Sequence, residues 1–540
     1  MSDMLNCMRR SALAALLILA LAAPALASDL ANDLGGAFVA TPADTGESDQ
    51  PVDEVDMLTA DATIGYIGSG VPILNPVGCT EWNLVSLNQL VFEPVVDLDE
   101  NMKPVPMLAN NWEKRNQYWR FNLREGIQFH NGLDLTAYDV VQSWKALKAA
   151  GEDNPYYSRL ERIKAMEATD ILTLTVEAKD ASYLTLYAMN FPVIQYATLQ
   201  DEMPRGTGPY WYVQADTDGI VRLEANPLWW KQAPLLHSIL LRPYAEPADA
   251  VEAIQTNQIS MLSTKSPKAA LCRKLADLTS RDYSTLTYEM LVPNAGGRSL
   301  LKDVRVRKAV MYAIDRSLLA SNAYLDMAVS SEVPIPPVSW LYESQSAIYY
   351  YSPERALQLM NEVGWRDMNG DGRLNRVNGV RLMEPSLTIW TYNESTNSIR
   401  ENAANMIADY LRAIGFNVTV SVRSKETVRR GIRERACDLA LIGVNLSEVP
   451  DISAMFRTGG SMNFSRYTST EMDTLFDRVA ATGDATALKQ LYTTIQMRVV
   501  EQLPILGLLF RTGTVLSSHS VSGLTCTRCY DAFDGFEFIQ

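Results

Sequence analysis

Several short clusters in this 540-residue chain could carry chemistry. Ser299-Leu-Leu-Lys302, Ser461-Met-Asn463 and Arg511-Thr-Gly513 imitate the S-x-x-K, S-x-N and K-T-G set of a penicillin-recognising serine enzyme, in which a lysine activates a serine nucleophile. Each pattern is short and common, and the three together read as coincidence. No Gly-x-Ser-x-Gly elbow is present. The three histidines, His130, His237 and His519, lie far apart and have no metal-ligand neighbour at helical spacing. Asp367-Met-Asn-Gly-Asp371-Gly372 begins like a calcium loop, but Asn378 stands where the bidentate glutamate is required, so it reads as a turn. Cys526-Thr-Arg-Cys529 has redox or metal spacing without a second ligand pair, and reads as a terminal disulfide or two free thiols. Trp229-Trp230 could stack on a ligand, although core packing is the simpler reading. No metal, cofactor or catalytic residue is expected.

The N-terminus is a targeting signal. Arg9 and Arg10 precede SALAALLILALAAPALA, which ends in the small-x-small site Ala25-Leu26-Ala27. A charged start, a short apolar run and small residues describe a secretory signal peptide over 1–27. The run is short for a membrane span, and no second long apolar segment follows. Residues 28–59, rich in Asp, Glu, Ala, Thr, Gly and Pro, read as an acidic flexible spacer. Order is expected from about Ala62. After cleavage Cys79, Cys272, Cys437, Cys526 and Cys529 remain, so one or two disulfides are open to an exported chain and the odd count leaves at least one thiol free or intermolecular. The net charge of −15 argues against nucleic acid and anionic membranes as general partners.

The remaining chain reads as a large α/β protein. Trp119, Phe121 and Leu123 alternate as in a half-buried strand, and Asn131-Gly132 marks a tight turn. Thr136-Ala-Tyr-Asp139 is a capping box, and Val140, Val141, Trp144 and Leu147 form one face of the helix it opens. ILTLTVE at 171–177 is a further strand. Leu387 and Ile389 alternate; Ile399, Ala403, Met406, Ile407, Tyr410, Leu411 and Ile414 follow at helical spacing. Gly415 then sits where a helix ends, and Phe416, Val418, Val420 and Val422 alternate again. That is a parallel strand–helix–strand unit. A buried strand at 437–443 and helices at 469–481 and 485–502 complete the pattern.

Longer motifs in fixed order carry a resemblance. Leu108-Ala109 and Trp112 precede Phe121-Asn-Leu-Arg124, Gly126, Phe129, Gly132 and Thr136-Ala-Tyr-Asp-Val140. GTGPY at 206–210, Asn226 with Trp230, and LKDVRVRKAVMYAIDRSLL at 301–319 follow. Ser-Pro-Glu-Arg-Ala at 352–356, Gly364-Trp365, the Asp/Gly turn, Tyr467, Asp473 and Leu503-Pro504 close the series. Over roughly 62–520 the chain resembles the family 5 extracellular solute-binding proteins, the oligopeptide- and dipeptide-binding subunits of ABC importers.

The resemblance implies a two-lobed, periplasmic-binding-protein-like α/β fold with an additional inserted domain. Lobe I would combine 60–86, 205–285 and 506–540; the inserted domain would be 87–204 and lobe II 286–505. It also implies a monomer outside the cytoplasmic membrane that closes on a short peptide or other small solute and hands it to permease subunits. Such a protein binds and does no bond chemistry. In peptide-binding members an Asp after a Gly-Trp pair anchors the ligand amine. Here Ser447 stands at that place, with Glu448 and Asp451 as substitutes, or the ligand lacks a free amine. The other expected contacts are Glu81, Trp82, Trp390, Asn393, Val444 and Asn445.

Overall fold

The structure is a computed structural model that describes residues 60–523 except 69, 71, 395 and 396, together with 532, 533, 535 and 539. The expected signal peptide, spacer, Cys526 and Cys529 lie outside the described residues. β1 (Ala62–Ile67) is followed by the ribbon of β2 (Val96–Leu98) and β3 (Pro104–Pro106). A four-stranded sheet comes next: β4 (Ala109–Arg115), β5 (Tyr118–Leu123), β6 (Ile163–Asp170) and β7 (Thr173–Ala178), in the order β4-β5-β7-β6. Then come β8 (Tyr210–Ala215), β9 (Val221–Ala225), β10 (Ser238–Tyr244), β11 (Met261–Thr264) and the long β12 (Leu278–Pro293). After β13 (Ala328–Ser330), β14 (Arg376–Asn378) and β15 (Arg381–Met383) form a hairpin. β16 (Ser386–Thr391), β17 (Asn417–Val422), β18 (Leu439–Asn445) and β19 (Leu506–Ser518) complete the strands.

Eleven strands form one sheet in the order β17-β16-β18-β12-β19-β11-β1-β10-β9-β8, with β13 on β19. The two long strands at its centre are antiparallel and carry it from one half to the other. β16 has β17 and β18 as parallel neighbours on its two sides. β1 has β10 and β11 in the same relation. Each half is therefore a small doubly wound unit whose strand order reverses at its middle strand.

Local signals position these elements. Asp139 Oδ2 takes the Thr136 backbone N–H at 3.1 Å and the Thr136 hydroxyl at 2.6 Å, and the helix Ala137–Ala149 starts there. Its face of Val140, Val141, Trp144 and Leu147 is buried. Gly132 turns with φ +79, while Asn131 uses its side chain to bind Gln195. The parallel unit forms as read: β16, the helix Ile399–Ala413, Gly415 at φ +91, then β17. β17 is the sheet's edge, so its alternation fades outward and Val422 is exposed. Met406 and Tyr410 are only half-buried, at the margin of the helix's apolar stripe.

Three of the motif readings resolve as structure. Asp367 accepts the N–H groups of Gly370 and Gly372 at 2.7 and 3.0 Å, so its carboxylate closes a turn. The Ser299 hydroxyl accepts the Leu301 N–H at 3.2 Å, capping one short turn. Trp229 and Trp230 both point their indole N–H groups at the buried Glu93, at 3.2 and 2.8 Å, with Thr207 adding a third donor at 2.8 Å. Cys79, Cys272 and Cys437 are buried free thiols.

GTGPY has a steric reason. Gly208 N–H bonds Val91 O at 3.0 Å, and Tyr210 N–H bonds Leu90 O at 2.9 Å. A Cβ on Gly208 would stand 2.7 Å from the Val91 carbonyl carbon and 2.9 Å from Leu90 O. Backbone cannot yield as a side-chain tip can, so Gly208→Ala is expected to cost about 1–3 kcal/mol. Urea unfolding measures this, and an unchanged midpoint would refute the close approach.

Candidate functional site

Strand direction locates the site. β11 is antiparallel to β19 with Thr264 opposite Thr514, so its carboxyl end points toward the middle of β19. β18 is antiparallel to β12 with Asn445 opposite Thr287, so its carboxyl end points toward the middle of β12. β1 and β10 run with β11, and β16 runs with β18. The carboxyl ends of both parallel sets therefore converge from opposite sides on the centre of the crossing strands. In open α/β sheets that edge, where the strand order reverses, is where ligands bind.

The centre itself is irregular. Between the pairs Ser284–Thr512 and Tyr288–Phe510, residues Thr285, Leu286 and Thr287 stand against Arg511 alone. Such a bulge interrupts the ladder and re-aims side chains. The Thr285 hydroxyl binds Arg511 O at 2.7 Å. Leu446 N–H donates to Leu286 O at 2.9 Å, which ties the loop after β18 onto the bulge.

Four charges lie beneath it. Arg400, in the first turn of Ile399–Ala413, donates to both oxygens of Glu289 at 3.0 and 2.8 Å and to Glu394 at 2.9 Å. Arg511 reaches Glu289 at 2.6 Å and Glu394 at 3.0 Å. Glu289 is fully buried and Arg400 nearly so. Burial alone would raise the Glu289 carboxyl, but the Arg511 and Arg400 charges outweigh it and hold the pKa below the usual range. At Glu394 burial opposes as well, yet Arg511 first and Arg400 next bring it to about 2. Tyr392 lies under Arg400 at 4.4 Å, and Tyr324 under Arg511 at 5.5 Å. Gly443 passes so close that a Cβ would meet Arg400 Nη2 at 2.5 Å.

The expected contact residues fall into three groups. Asn393, Val444, Asn445 and Ser447 lie at the carboxyl ends of β16 and β18, and the Asn445 side chain accepts the Thr287 hydroxyl at 2.9 Å. Glu81 and Trp82 lie in the loop region after β1, on the facing side, and Trp82 is 63% exposed. Trp390, Glu448 and Asp451 are engaged within the protein. Trp390 turns toward the helix Lys425–Glu434, where a Cβ on Gly431 would be 2.5 Å from its ring, and Arg423 covers it at 5.4 Å. Glu448 is buried and ion-paired with Arg159. Asp451 pairs with Arg162 at 2.7 Å. Burial raises Glu448 despite Arg159, whereas at Asp451 Arg162 outweighs burial and lowers the carboxyl.

Sequence reading did not single out Glu289, Glu394 or Arg400 as site residues, and noted Arg511 only in the serine-enzyme pattern. A charge in a strand otherwise apolar, Glu289 in YEMLVP, is the one local signal. Among the described residues no cluster of three or more His, Cys, Asp or Glu could hold a metal ion.

A family model described as bacterial extracellular solute-binding proteins, family 5 Middle, matches residues 103–465. Oligopeptide-binding protein AppA of Bacillus subtilis is 22% identical over 488 residues, 86% of this chain and 88% of the relative. Heme-binding protein A of Haemophilus influenzae is 24% identical over 526 residues, 88% of this chain and 91% of the relative. A crystal structure titled as the nickel ABC transporter from Bacillus halodurans superposes with a TM-score of 0.76 at 20% identity, over 88% of this chain and 98% of the other.

The four-charge cluster generates an acid dependence. Glu394 titrates at about 2 when folded against an ordinary 4.5, so its stabilisation is complete above the higher value and lost as pH falls through the lower. Glu394→Gln is expected to flatten the melting temperature between those two pH values. An identical acid profile for variant and parent would refute the pairing.

Proposed function

The chain belongs to the bacterial extracellular solute-binding proteins, family 5, and from that premise we propose that it captures a short peptide between the two halves of its central sheet and delivers it to the permease of an ABC importer. The observation that carries the reading is the convergence of two sets of strand ends on the bulge of β12 and β19. Lobe I is 60–86 with 205–285 and 506–540, lobe II is 286–505, and 87–204 is the inserted domain. The two long strands β12 and β19 carry the sheet from one lobe to the other, and bending there would contribute to opening and closing. A solute that touches both lobes favours the closed state by its differential affinity. A micromolar dissociation constant corresponds to about −8 kcal/mol, the surplus after ordering and desolvation costs.

In this reading residues 1–27 direct export, the protein works as a monomer outside the cytoplasmic membrane, and no bond is made or broken. No helix among the described residues is long and apolar enough to cross a membrane. A short peptide is preferred as cargo because an extended backbone can use the amides and carbonyls at strand ends, as an added strand would. The oligopeptide-binding relative agrees with that choice. The haem-binding relative and the nickel-transporter structure keep a metal chelate as the second cargo to assay.

Thermal unfolding in the presence of tri- to pentapeptides tests the reading. A ligand at 100 times its dissociation constant stabilises by about 2.7 kcal/mol. Trp82→Ala should weaken peptide binding about tenfold, or about 1.4 kcal/mol, because an exposed aromatic at the crevice is a typical anchor. Its effect on the unliganded melting point should be small, since so exposed a side chain contributes little packing. Loss of stability without loss of affinity would remove Trp82 from the site.

A further inference from the structure

The charge pairing on the lobe II side of the crevice leaves two cations over. Glu289 and Glu394 are shared between Arg400 and Arg511, so that cluster is neutral. Arg423 and Lys425 follow the carboxyl end of β17. Both are exposed, and neither forms an ion pair or donates a side-chain hydrogen bond among the described residues. The carboxylates at this edge are engaged elsewhere. Glu394 is held by both arginines of the cluster. Glu401 takes the Asn393 amide at 2.7 Å. Glu426 is turned back onto Ser424 and its own backbone N–H.

An ordinary surface cation is solvated and needs no partner. Position sets these two apart. Thr391 of β16 stands beside Val422 of β17 in parallel register, and the Arg423 N–H continues the ladder onto Thr391 O at 2.8 Å. Both cations therefore stand at the edge where the strand ends meet the crevice. Tyr392, the residue after β16, donates its hydroxyl to Gly443 O of β18 at 3.3 Å, so its ring reaches from β16 toward the end of β18. The Lys425 ammonium lies 5.9 Å from the centre of that ring, drawn inward from the edge strand. The Arg423 guanidinium lies 5.4 Å from the Trp390 ring. An aromatic face holds a cation in place without neutralising it. Arg400 sits on the same Tyr392 ring at 4.4 Å, but its charge is spent on Glu289 and Glu394. What remains is an accessible, oriented and uncompensated positive charge near the end of β18, in a chain whose net charge is −15. The helix Lys425–Glu434 adds the positive end of its dipole at the same place.

We propose that Arg423 and Lys425 bind a carboxylate of the solute at the lobe II rim of the crevice. In a short peptide the chain-end carboxylate is the expected source. This rests on the capture reading above and narrows its cargo. A guanidinium lying on an indole keeps its N–H edge free for a carboxylate, and an ammonium brings three further donors. A solute without a carboxylate leaves both cations as solvated as they are in the empty crevice, so it binds through its backbone alone and more weakly.

Calorimetry on the purified protein compares trialanine with its C-terminal amide. Amidation is expected to weaken binding about tenfold, the size of a charge-assisted contact. Lys425→Met and Arg423→Gln should each weaken trialanine about tenfold and leave the amide within about threefold, so the amidation penalty disappears. Lys425→Arg should restore it, which a merely structural role would not require. Both positions are exposed, so the unliganded variants should melt with the parent; should one fail to fold, the other decides. An amidation penalty that is equal in the parent and in both charge-removing variants overturns the proposal and keeps the capture reading. If amidation costs nothing, Ala-Glu-Ala-amide is compared with Ala-Gln-Ala-amide. A preference for the glutamate that Lys425→Met abolishes moves the carboxylate to a side chain and keeps the site; no such preference overturns it. Fe(III)–EDTA bound in place of the peptides, and weakened in Lys425→Met, keeps the carboxylate site and removes the peptide cargo. Bound equally by parent and variant, it overturns the site and keeps the capture reading. No binding by any probe overturns both.

Discussion

Glu289 is ionised, fully buried and placed on the strand that joins the two halves of the sheet. An isolated carboxylate there would be far too costly to keep charged, so two guanidinium groups must meet it. Arg400 comes from the helix after β16 and Arg511 from the other crossing strand. Satisfying this one carboxylate joins β12, β19, the loop after β16 and the head of a helix. Gly443 is required because the ion pair fills the space a side chain would use. The bulge then falls beside the cluster, and the loop after β18 is drawn onto it by Leu446. The crevice floor and the strand ends around it thus form one connected piece.

The middle segment touches both halves by the same kind of contact. On one side Glu93 collects the indoles of Trp229 and Trp230 and the Thr207 hydroxyl. On the other, Arg159 and Arg162 meet Glu448 and Asp451, and the Trp340 indole donates to the Tyr187 hydroxyl at 2.8 Å. One apolar cluster runs from the four-stranded sheet through to the helix Ala485–Gln502. Buried pairs of this kind give little net stability, but removing one partner leaves an uncompensated charge. They fix where one segment sits on another.

Much of the secondary structure was legible because its causes are local. The capping box at Thr136, the glycine after Ile414 and the helix at 485–502 need only neighbours within a few residues. The apolar stripe of Ile399–Ala413 gave the buried face but not its depth, since half-buried Met406 and Tyr410 depend on what packs against them. Trp390 looked available to a ligand because the sequence does not reveal Gly431 approaching its ring from a helix 41 positions on. Glu448 and Asp451 looked like free counter-charges because Arg159 and Arg162 lie almost 290 residues earlier.

The sequence by itself determined the α/β class, the family and the elements that surround the crevice, since periodicity, caps and ordered motifs are properties of short segments. Only the tertiary structure decided which charges remain available. Pairing depends on which side chains the sheet order brings within a few ångströms, and the strands that set that order, β12 and β19, are more than two hundred residues apart in the chain. Coulomb energy and desolvation respond to that distance in space and are indifferent to distance in sequence.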